Sequence, residues 1–346
     1  MVRFGIVGTG VGANFCAQGI SMIHDAEIAD FIAVTSRREE RAREFASKYG
    51  VRDWYTDYGE MLEKADIEAV VINTPHNLHY PMVLESINSG KHVLVDKPMA
   101  VSLKQSDEMI DKARRKGVKL GVNLQSRFDP TFRKVKEAAE EQKFGRLILG
   151  EAIVKWFRTQ EYYDKSAWRG KWDTEGGGAL INQAIHTIDL LVWVMGSPKY
   201  LWAQIDTVAH KIEVEDLAVA ALRFENGALG IIQGSTAIYP GLPSRLEVHG
   251  TNGTAIIEGE VLKRWSIVGD EEVVSEEAKE GLGSWARPEL APATNHAALI
   301  KDFAEAILED REPYVDGVEG RKSLEVITAI YRSGRDDRMI EFPLKE

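Results

Sequence analysis

A chain of 346 residues exceeds what one ordinary hydrophobic core supports and suits two domains. Its 44% hydrophobic and 28% charged residues exclude a disordered or fibrous chain, and its net charge of −11 argues against a nucleic-acid partner. No apolar run approaches the roughly 20 residues that cross a bilayer, a strand pattern begins at once, and the single cysteine, Cys16, has no internal partner. A cytoplasmic protein without a membrane partner is expected.

Residues 2–7 form a short apolar run that ends in Gly8-Thr9-Gly10-Val11-Gly12-Ala13, after which helical spacing continues through Phe15 and Ile20. Strand, glycine turn and helix are the phosphate-binding unit of a dinucleotide fold: glycine lets the backbone approach a pyrophosphate, and the helix N-terminus offers N–H donors. A second strand, residues 30–35, ends at Ser36-Arg37-Arg38. An acidic residue there would hold a ribose 2′-hydroxyl, whereas serine with arginines suits a 2′-phosphate, so NADP is favoured over NAD. A third strand, residues 69–72, runs into Asn73-Thr74-Pro75 with Asn77 and His79 close behind, small polar residues that suit a crevice beside a nicotinamide ribose. His79 reads equally as a locally satisfied residue at a helix start. The following helix is predicted over 81–89, with Pro81 in its first turn and Gly90 as its stop.

Residues 92–95 make the next buried strand, and Asp96-Lys97-Pro98 stands at its carboxyl end, where open α/β sheets place their ligands. Proline stops the strand and keeps Lys97 at the rim. A helix over 103–116 and a strand over 119–122 complete a strand-helix alternation that predicts a doubly wound parallel Rossmann sheet over residues 1–123.

The second domain is placed at 124–346. Its opening carries Arg127, and residues 154–172 gather Trp156, Arg158, Tyr162, Tyr163, Trp168, Arg169 and Trp172. Such a cluster is either core or a sugar surface, with rings against C–H faces and guanidinium groups on hydroxyls or a carboxylate. Gly176-Gly177-Gly178 then bends the chain into helical spacing over 179–193, which sets Asn182, His186 and Asp189 on one side. A histidine titrating near neutrality suits acid/base work on a hydroxyl. From Asp216 onward, extended runs joined at Asn226-Gly227 and Asn252-Gly253 predict a large, mostly antiparallel open sheet, covered on one face by helices over 179–193 and 298–308. The acidic stretch 270–280 reads as a solvated loop or hairpin. No spacing of Cys, His or carboxylates points to a bound metal.

Gly8 to Ala13, Thr74-Pro75 with His79, Gly90-Lys91-His92-Val93 leading to Asp96-Lys97-Pro98, and the glycine run followed by His186 and Asp189 together resemble the glucose-fructose oxidoreductase and inositol dehydrogenase (Gfo/Idh/MocA) family. The family usually has glutamate where this chain has Asp96, and often aspartate where it has Asn182. The resemblance implies an NAD(P)-dependent sugar or polyol oxidoreductase with Lys97 and His186 as the catalytic pair. Substrate contacts are expected at Arg127, Arg158, Tyr163 and Asn182, and cofactor contacts from the glycine turn through Asp96 and Lys97 to Trp168 and Arg169. The resemblance further implies a homodimer or homotetramer formed through the C-terminal sheet. Two other readings stay open: a glycosidase using tightly held NAD transiently, and a non-catalytic sugar sensor.

Overall fold

The computed structural model describes residues 1–272 and 292–344. In chain order the strands are β1 Val2–Val7, β2 Ala29–Thr35, β3 Asp53–Tyr55, β4 Ala69–Ile72, β5 His92–Asp96, β6 Leu120–Asn123, β7 Leu147–Lys155, β8 Pro198–Asp206, β9 Leu217–Phe224, β10 Leu229–Ser235, β11 Arg245–Gly250, β12 Gly253–Glu258, β13 Val261–Ile267, β14 Asp270–Glu272 and β15 Ile340–Glu341. The α-helices are α1 Val11–Ile23, α2 Glu39–Tyr49, α3 Tyr58–Lys64, α4 His76–Asn88, α5 Leu103–Lys116, α6 Pro130–Glu140, α7 Gln160–Asp164, α8 Trp172–Glu175, α9 Ile185–Met195, α10 Thr294–Leu308 and α11 Gly317–Asp336.

Two compact units result: residues 1–128 with 292–321, and residues 129–291 with 322–346. The first holds a six-stranded sheet in the order β3-β2-β1-β4-β5-β6, parallel at each pairing. β4 is buried at all four positions and β5 at its three central ones, as expected of strands covered on both faces. α10 belongs here rather than over the second sheet, which corrects the expected placement of the 298–308 helix. Its face, Leu299, Ile300 and Phe303, is buried, Phe303 lies against Phe4 of β1, and Gly19 of α1 opens room for its backbone at His296 and Ala297. Apolar spacing identifies a helix without saying which sheet it covers. α4 also begins earlier than the proline suggests, at His76, with Pro81 inside it.

The second unit is built on a nine-stranded sheet in the order β14-β13-β12-β11-β7-β10-β9-β8-β15. β10 and β7 run parallel and the remaining pairings are antiparallel. One face packs on α9: a Cβ on Gly150 of β7 would strike Leu191 and Met195. The opposite face carries the alternating residues Trp202, Val219 and Leu229, each 45–49% exposed. Of the acidic stretch, residues 270–272 form the edge strand β14 and 273–280 lie outside the described residues. Contrary to the expectation that no apolar run approaches the length that crosses a bilayer, Trp172–Met195 contains an 18-residue window of mean hydropathy 1.3, and 78% of that window is buried inside the protein.

Candidate active site

In the first unit three strand ends meet around the glycine turn. Gly8 has φ +101°, and a Cβ there would collide with the Asn73 carbonyl. A Cβ on Gly12 would lie 3.0 Å from the Asn73 Nδ2 and 3.1 Å from the Asp96 Oδ2. These glycines let β1, β4 and β5 deliver their ends to one place. No side chain caps α1 at Gly10, so its first-turn N–H groups remain for an anion, as the fingerprint requires. Both amide atoms of Asn73 and the Thr74 hydroxyl are buried without a hydrogen-bond partner. Orphaned polar atoms beside an uncapped helix start fit a dinucleotide. Thr9, Pro75 and Asn77 are half-buried around the same turn, while Val11 is exposed.

Asp96 organises the end of β5. Its Oδ1 accepts from the Lys97 N–H at 2.9 Å and from the Asn123 Nδ2 at 3.3 Å, which fixes the backbone from which the half-buried Lys97 projects. His79 is not a direct cofactor contact. It is fully buried, with Nδ1 2.8 Å from the Pro98 carbonyl and Nε2 2.9 Å from the Thr74 carbonyl, so it ties the β4 turn to the Lys97 turn. Burial lowers its pKa against the opposing Asp96 carboxylate, and the neutral ring donates to one of these carbonyls at a time. Cys16 is buried as well, and burial beside Asp96 raises its thiol pKa, leaving an inert packing residue. Ser36 is half-buried and Arg37 and Arg38 are exposed at the turn into α2.

In the second unit the expected helix begins as a π-helical turn, Ala179–Ala184, before α9. Such turns recur at functional sites. This one is pinned from far away. Glu215, 2% exposed, accepts from the Gly178 N–H at 2.8 Å, the Leu180 N–H at 2.9 Å and the Tyr331 hydroxyl at 3.0 Å, and its carbonyl accepts from Ala179. It is a capping residue supplied by another element. Burial pushes its pKa up to about 7 despite these donors. Glycine is required at 177 and 178, because a Cβ would strike Tyr331 and the Glu215 carbonyl respectively. A second buried carboxylate, Glu175, accepts from the Gly170 N–H at 2.5 Å and from the Asn182 side chain. His186 is half-buried near the start of α9, and Asp189 is buried one turn further on.

The aromatic cluster divides. Trp156, Arg158, Tyr162, Arg169 and Trp168 form an alternating ladder: the Arg158 Cζ is 5.1 Å from the Trp156 ring centroid and 5.6 Å from that of Tyr162, and the Arg169 Cζ is 4.4 Å from Tyr162 and 4.9 Å from Trp168. Gln183 joins it, accepting from Arg158 Nη2 at 3.2 Å and donating to the Tyr162 hydroxyl at 2.9 Å. Two expected substrate contacts are corrected. Tyr163 is buried with its hydroxyl 2.8 Å from that of Thr236, and Arg127, 1% exposed, is ion-paired with Glu319 at 2.9 Å. Both serve the interior. Trp172 packs instead against Tyr331 and Arg335. Glu175, Gln183, Glu215 and Tyr331 escape sequence reasoning; the available signal is the acidic pair Glu215-Asp216 at a strand start, where a solvated surface would be the simpler reading. Asp216 is fully buried and collects the N–H groups of Val208, Ala209 and His210. Among the described residues no His, Cys, Asp and Glu cluster could hold a metal.

Family models match both halves of the chain: the oxidoreductase family with an NAD-binding Rossmann fold over residues 2–124, and the GFO/IDH/MocA C-terminal domain over residues 132–256. Myo-inositol 2-dehydrogenase of Thermotoga maritima is 30% identical over 257 residues, 73% of this chain and 74% of that one. Trans-1,2-dihydrobenzene-1,2-diol dehydrogenase of Mus musculus is 30% identical over 81% of this chain and 79% of its own length. Among solved structures, the WlbA dehydrogenase of Bordetella pertussis in complex with NADH and UDP-GlcNAcA superposes with a TM-score of 0.87 at 33% identity, covering 99% of each chain. A dinucleotide turn at the N-terminus, a lysine at the end of β5, a histidine on a glycine-introduced helix and an open, mostly antiparallel sheet occur here in one chain, which belongs to the Gfo/Idh/MocA family of NAD-binding oxidoreductases.

Proposed function

We propose that this protein transfers a hydride between a nicotinamide dinucleotide and one ring carbon of a sugar, sugar derivative or cyclic polyol. The dinucleotide supplies the carbon that takes or returns the hydride. The chain's own residues manage the proton and the charge. His186 takes the proton of the reacting hydroxyl, and Lys97 stabilises the negative charge that develops on the oxygen and passes the proton on. Asn182, oriented by Glu175, holds a neighbouring hydroxyl. Trp168 and Arg169 contact the cofactor, and Arg158 the substrate. The observation that carries the reading is Lys97 fixed through Asp96 at the end of β5, beside the glycine turn suited to a pyrophosphate.

Ser36, Arg37 and Arg38 favour NADP, with NAD as the alternative: among the described residues no carboxylate pairs with either arginine. The exposed apolar residues Trp202, Val219 and Leu229 favour a homodimer or homotetramer closed over that sheet face, in a cytoplasmic protein. The test is reduction of added NADP and NAD, read by the absorbance of the reduced nicotinamide, across sugars and inositols. Net reduction supports the dehydrogenase. No net reduction, together with NAD retained through purification, would replace it with a transient internal redox cycle or a sensor.

A further inference from the structure

We propose that His210 is a positioning residue of the second unit: as a doubly protonated imidazolium it closes a circuit of hydrogen bonds that fixes the backbone of Arg158, and loss of its proton opens that circuit. The inference rests on the proposed function, in which Arg158 contacts the substrate. The circuit ties three strand ends to one loop. The His210 Nδ1 stands 2.8 Å from the Asp216 Oδ2, and its Nε2 stands 2.8 Å from the Arg158 carbonyl. The Arg158 N–H donates to the Thr236 carbonyl at 2.8 Å, and the Thr236 N–H donates to the Asp216 carbonyl at 3.0 Å, which returns the chain of bonds to its start. Asp216 lies just before β9, Thr236 just after β10 and Arg158 shortly after β7. Residue 158 is thus held at both its N–H and its carbonyl, and His210 is the member of the circuit whose donors titrate.

Both oxygens facing the imidazole only accept. A neutral imidazole has one N–H and would leave a bare nitrogen lone pair against the other oxygen. His79 also faces two acceptors, but both are carbonyls, whereas at His210 one is a carboxylate in direct contact, which favours the cation. The pair is closed off from water, its side chains 4% and 0% exposed, and the Asp216 carboxylate is held in place by the N–H groups of Val208, Ala209 and His210. On deprotonation the remaining N–H stays with the carboxylate, the stronger acceptor, and the Arg158 carbonyl is left facing a lone pair. The Arg158 Nη2 donates to the Gln183 Oε1 at 3.2 Å, and Gln183 follows Asn182 in the chain, so the released backbone disturbs the proposed substrate side. The other titratable groups around the imidazole are accounted for. The Tyr163 ring of α7 lies 4.9 Å away, with Glu175 and Asp216 acting on it, and burial raises its phenol and keeps it neutral. Glu215, beside Asp216, turns instead to Gly178, Leu180 and Tyr331, and Lys211 and Glu213 are exposed.

The test uses the full chain, isotope-labelled at the histidine ring nitrogens, with His210→Phe to assign the signal. Magnetic resonance should find both His210 nitrogens protonated at neutral pH and one N–H lost as the pH is raised. At one fixed neutral pH, His210→Phe should speed hydrogen exchange at the Arg158 N–H by at least about tenfold, the loss of one bond from a charged donor. It should also raise by about tenfold the KM for whichever of myo-inositol, glucose and galactose the wild type oxidises best, with kcat and the dinucleotide dissociation constant within about threefold. The rise of KM with pH expected of the wild type should vanish in this variant, and His210→Gln, which keeps one donor, should fall between the two. A His210 ring with a single N–H at every pH overturns the proposal, and so does a folded His210→Phe whose Arg158 exchange and KM match the wild type. If no sugar is oxidised, the dehydrogenase reading fails by itself: the nitrogen signals and the Arg158 exchange then uphold or overturn the role of His210 without it. Should His210→Phe not fold, the wild-type nitrogen signals and His210→Gln decide the matter.

Discussion

The two units place their chemistry in different ways. The first brings Gly12, Asn73, Asp96 and Lys97 together because neighbouring parallel strands end on the same edge of the sheet, and each residue needs only its own strand and turn to be in place. The second holds Asn182 on a π-helical turn, with His186 following at the start of α9, and the turn is secured by carboxylates from elsewhere in the fold, Glu175 and Glu215, with Tyr331 behind them. In the first unit the site is a by-product of topology. In the second it depends on buried ionisable groups, so its geometry and the unit's stability are tied together.

The largest expected effects fall on activity and treat both units alike. Lys97→Met and His186→Ala should each lower kcat by about 10²- to 10⁴-fold while the dissociation constant of the dinucleotide, read by fluorescence titration, stays within a few fold. The contrast between the units appears one residue away from the chemistry. Glu215→Ala strips acceptors from two buried N–H groups and from Tyr331, and should cost about 2–3 kcal/mol in denaturant unfolding together with most of kcat. Asp96→Asn keeps an acceptor for the Lys97 N–H and should lower kcat with stability nearly unchanged. Equal stability losses from the two variants would erase the distinction.

Each unit also buries one titratable group whose pKa moves by a similar amount, and the consequences for stability have opposite signs. Glu215 rises from 4.5 to about 7, so the native state binds its proton more tightly than the unfolded chain, and stability falls as pH rises through that window. His296 stacks on Phe15, and burial lowers its pKa from 6.5 to about 4; here the unfolded chain binds the proton more tightly, so stability is lost as pH falls from 6.5 towards 4. Each full swing is worth about 3 kcal/mol. Between pH 4.5 and 6.5 the two slopes oppose each other. Relative to wild type, Glu215→Gln should make stability climb with pH across this interval and His296→Leu should make it decline, both measured by urea midpoints at fixed salt. A parallel shift at all pH values in either variant would remove that group from the pH dependence.

What the sequence made legible follows the same division. Gly8, Gly12 and the end of β5 could be read because their partners lie in the same strand-turn unit and glycine and proline leave local signatures. Glu215 could not, since nothing near it in the chain announces that its carboxylate ends up against Gly178 and Leu180. Arg127 and Tyr163 show the complementary case: residue type suggests a sugar contact, while the ion pair to Glu319 and the bond to Thr236 that occupy them arise from tertiary packing. α10 is legible as a helix but not as part of the first unit, because an apolar stripe does not name the surface it meets.

The smallest predicted effect probes the one part of the first unit that lies outside its buried strand ends. Arg37 and Arg38 are exposed at the turn into α2, so any attraction to a 2′-phosphate would act through water and salt rather than through a fixed buried geometry. Ser36→Asp would place a carboxylate where the 2′-phosphate is expected, repelling it and accepting a hydrogen bond from a ribose hydroxyl instead. The ratio of kcat/KM for NADP over NAD should fall by about 10- to 100-fold. Arg37→Ala should lower it by about tenfold or less, and the wild-type ratio should itself shrink as ionic strength rises. A ratio indifferent to Ser36→Asp and to salt would mean that this turn does not select the cofactor. A strong response confined to Ser36→Asp would put the selection in the half-buried serine at the end of β2, where the parallel-sheet geometry that holds Lys97 would also be choosing the dinucleotide.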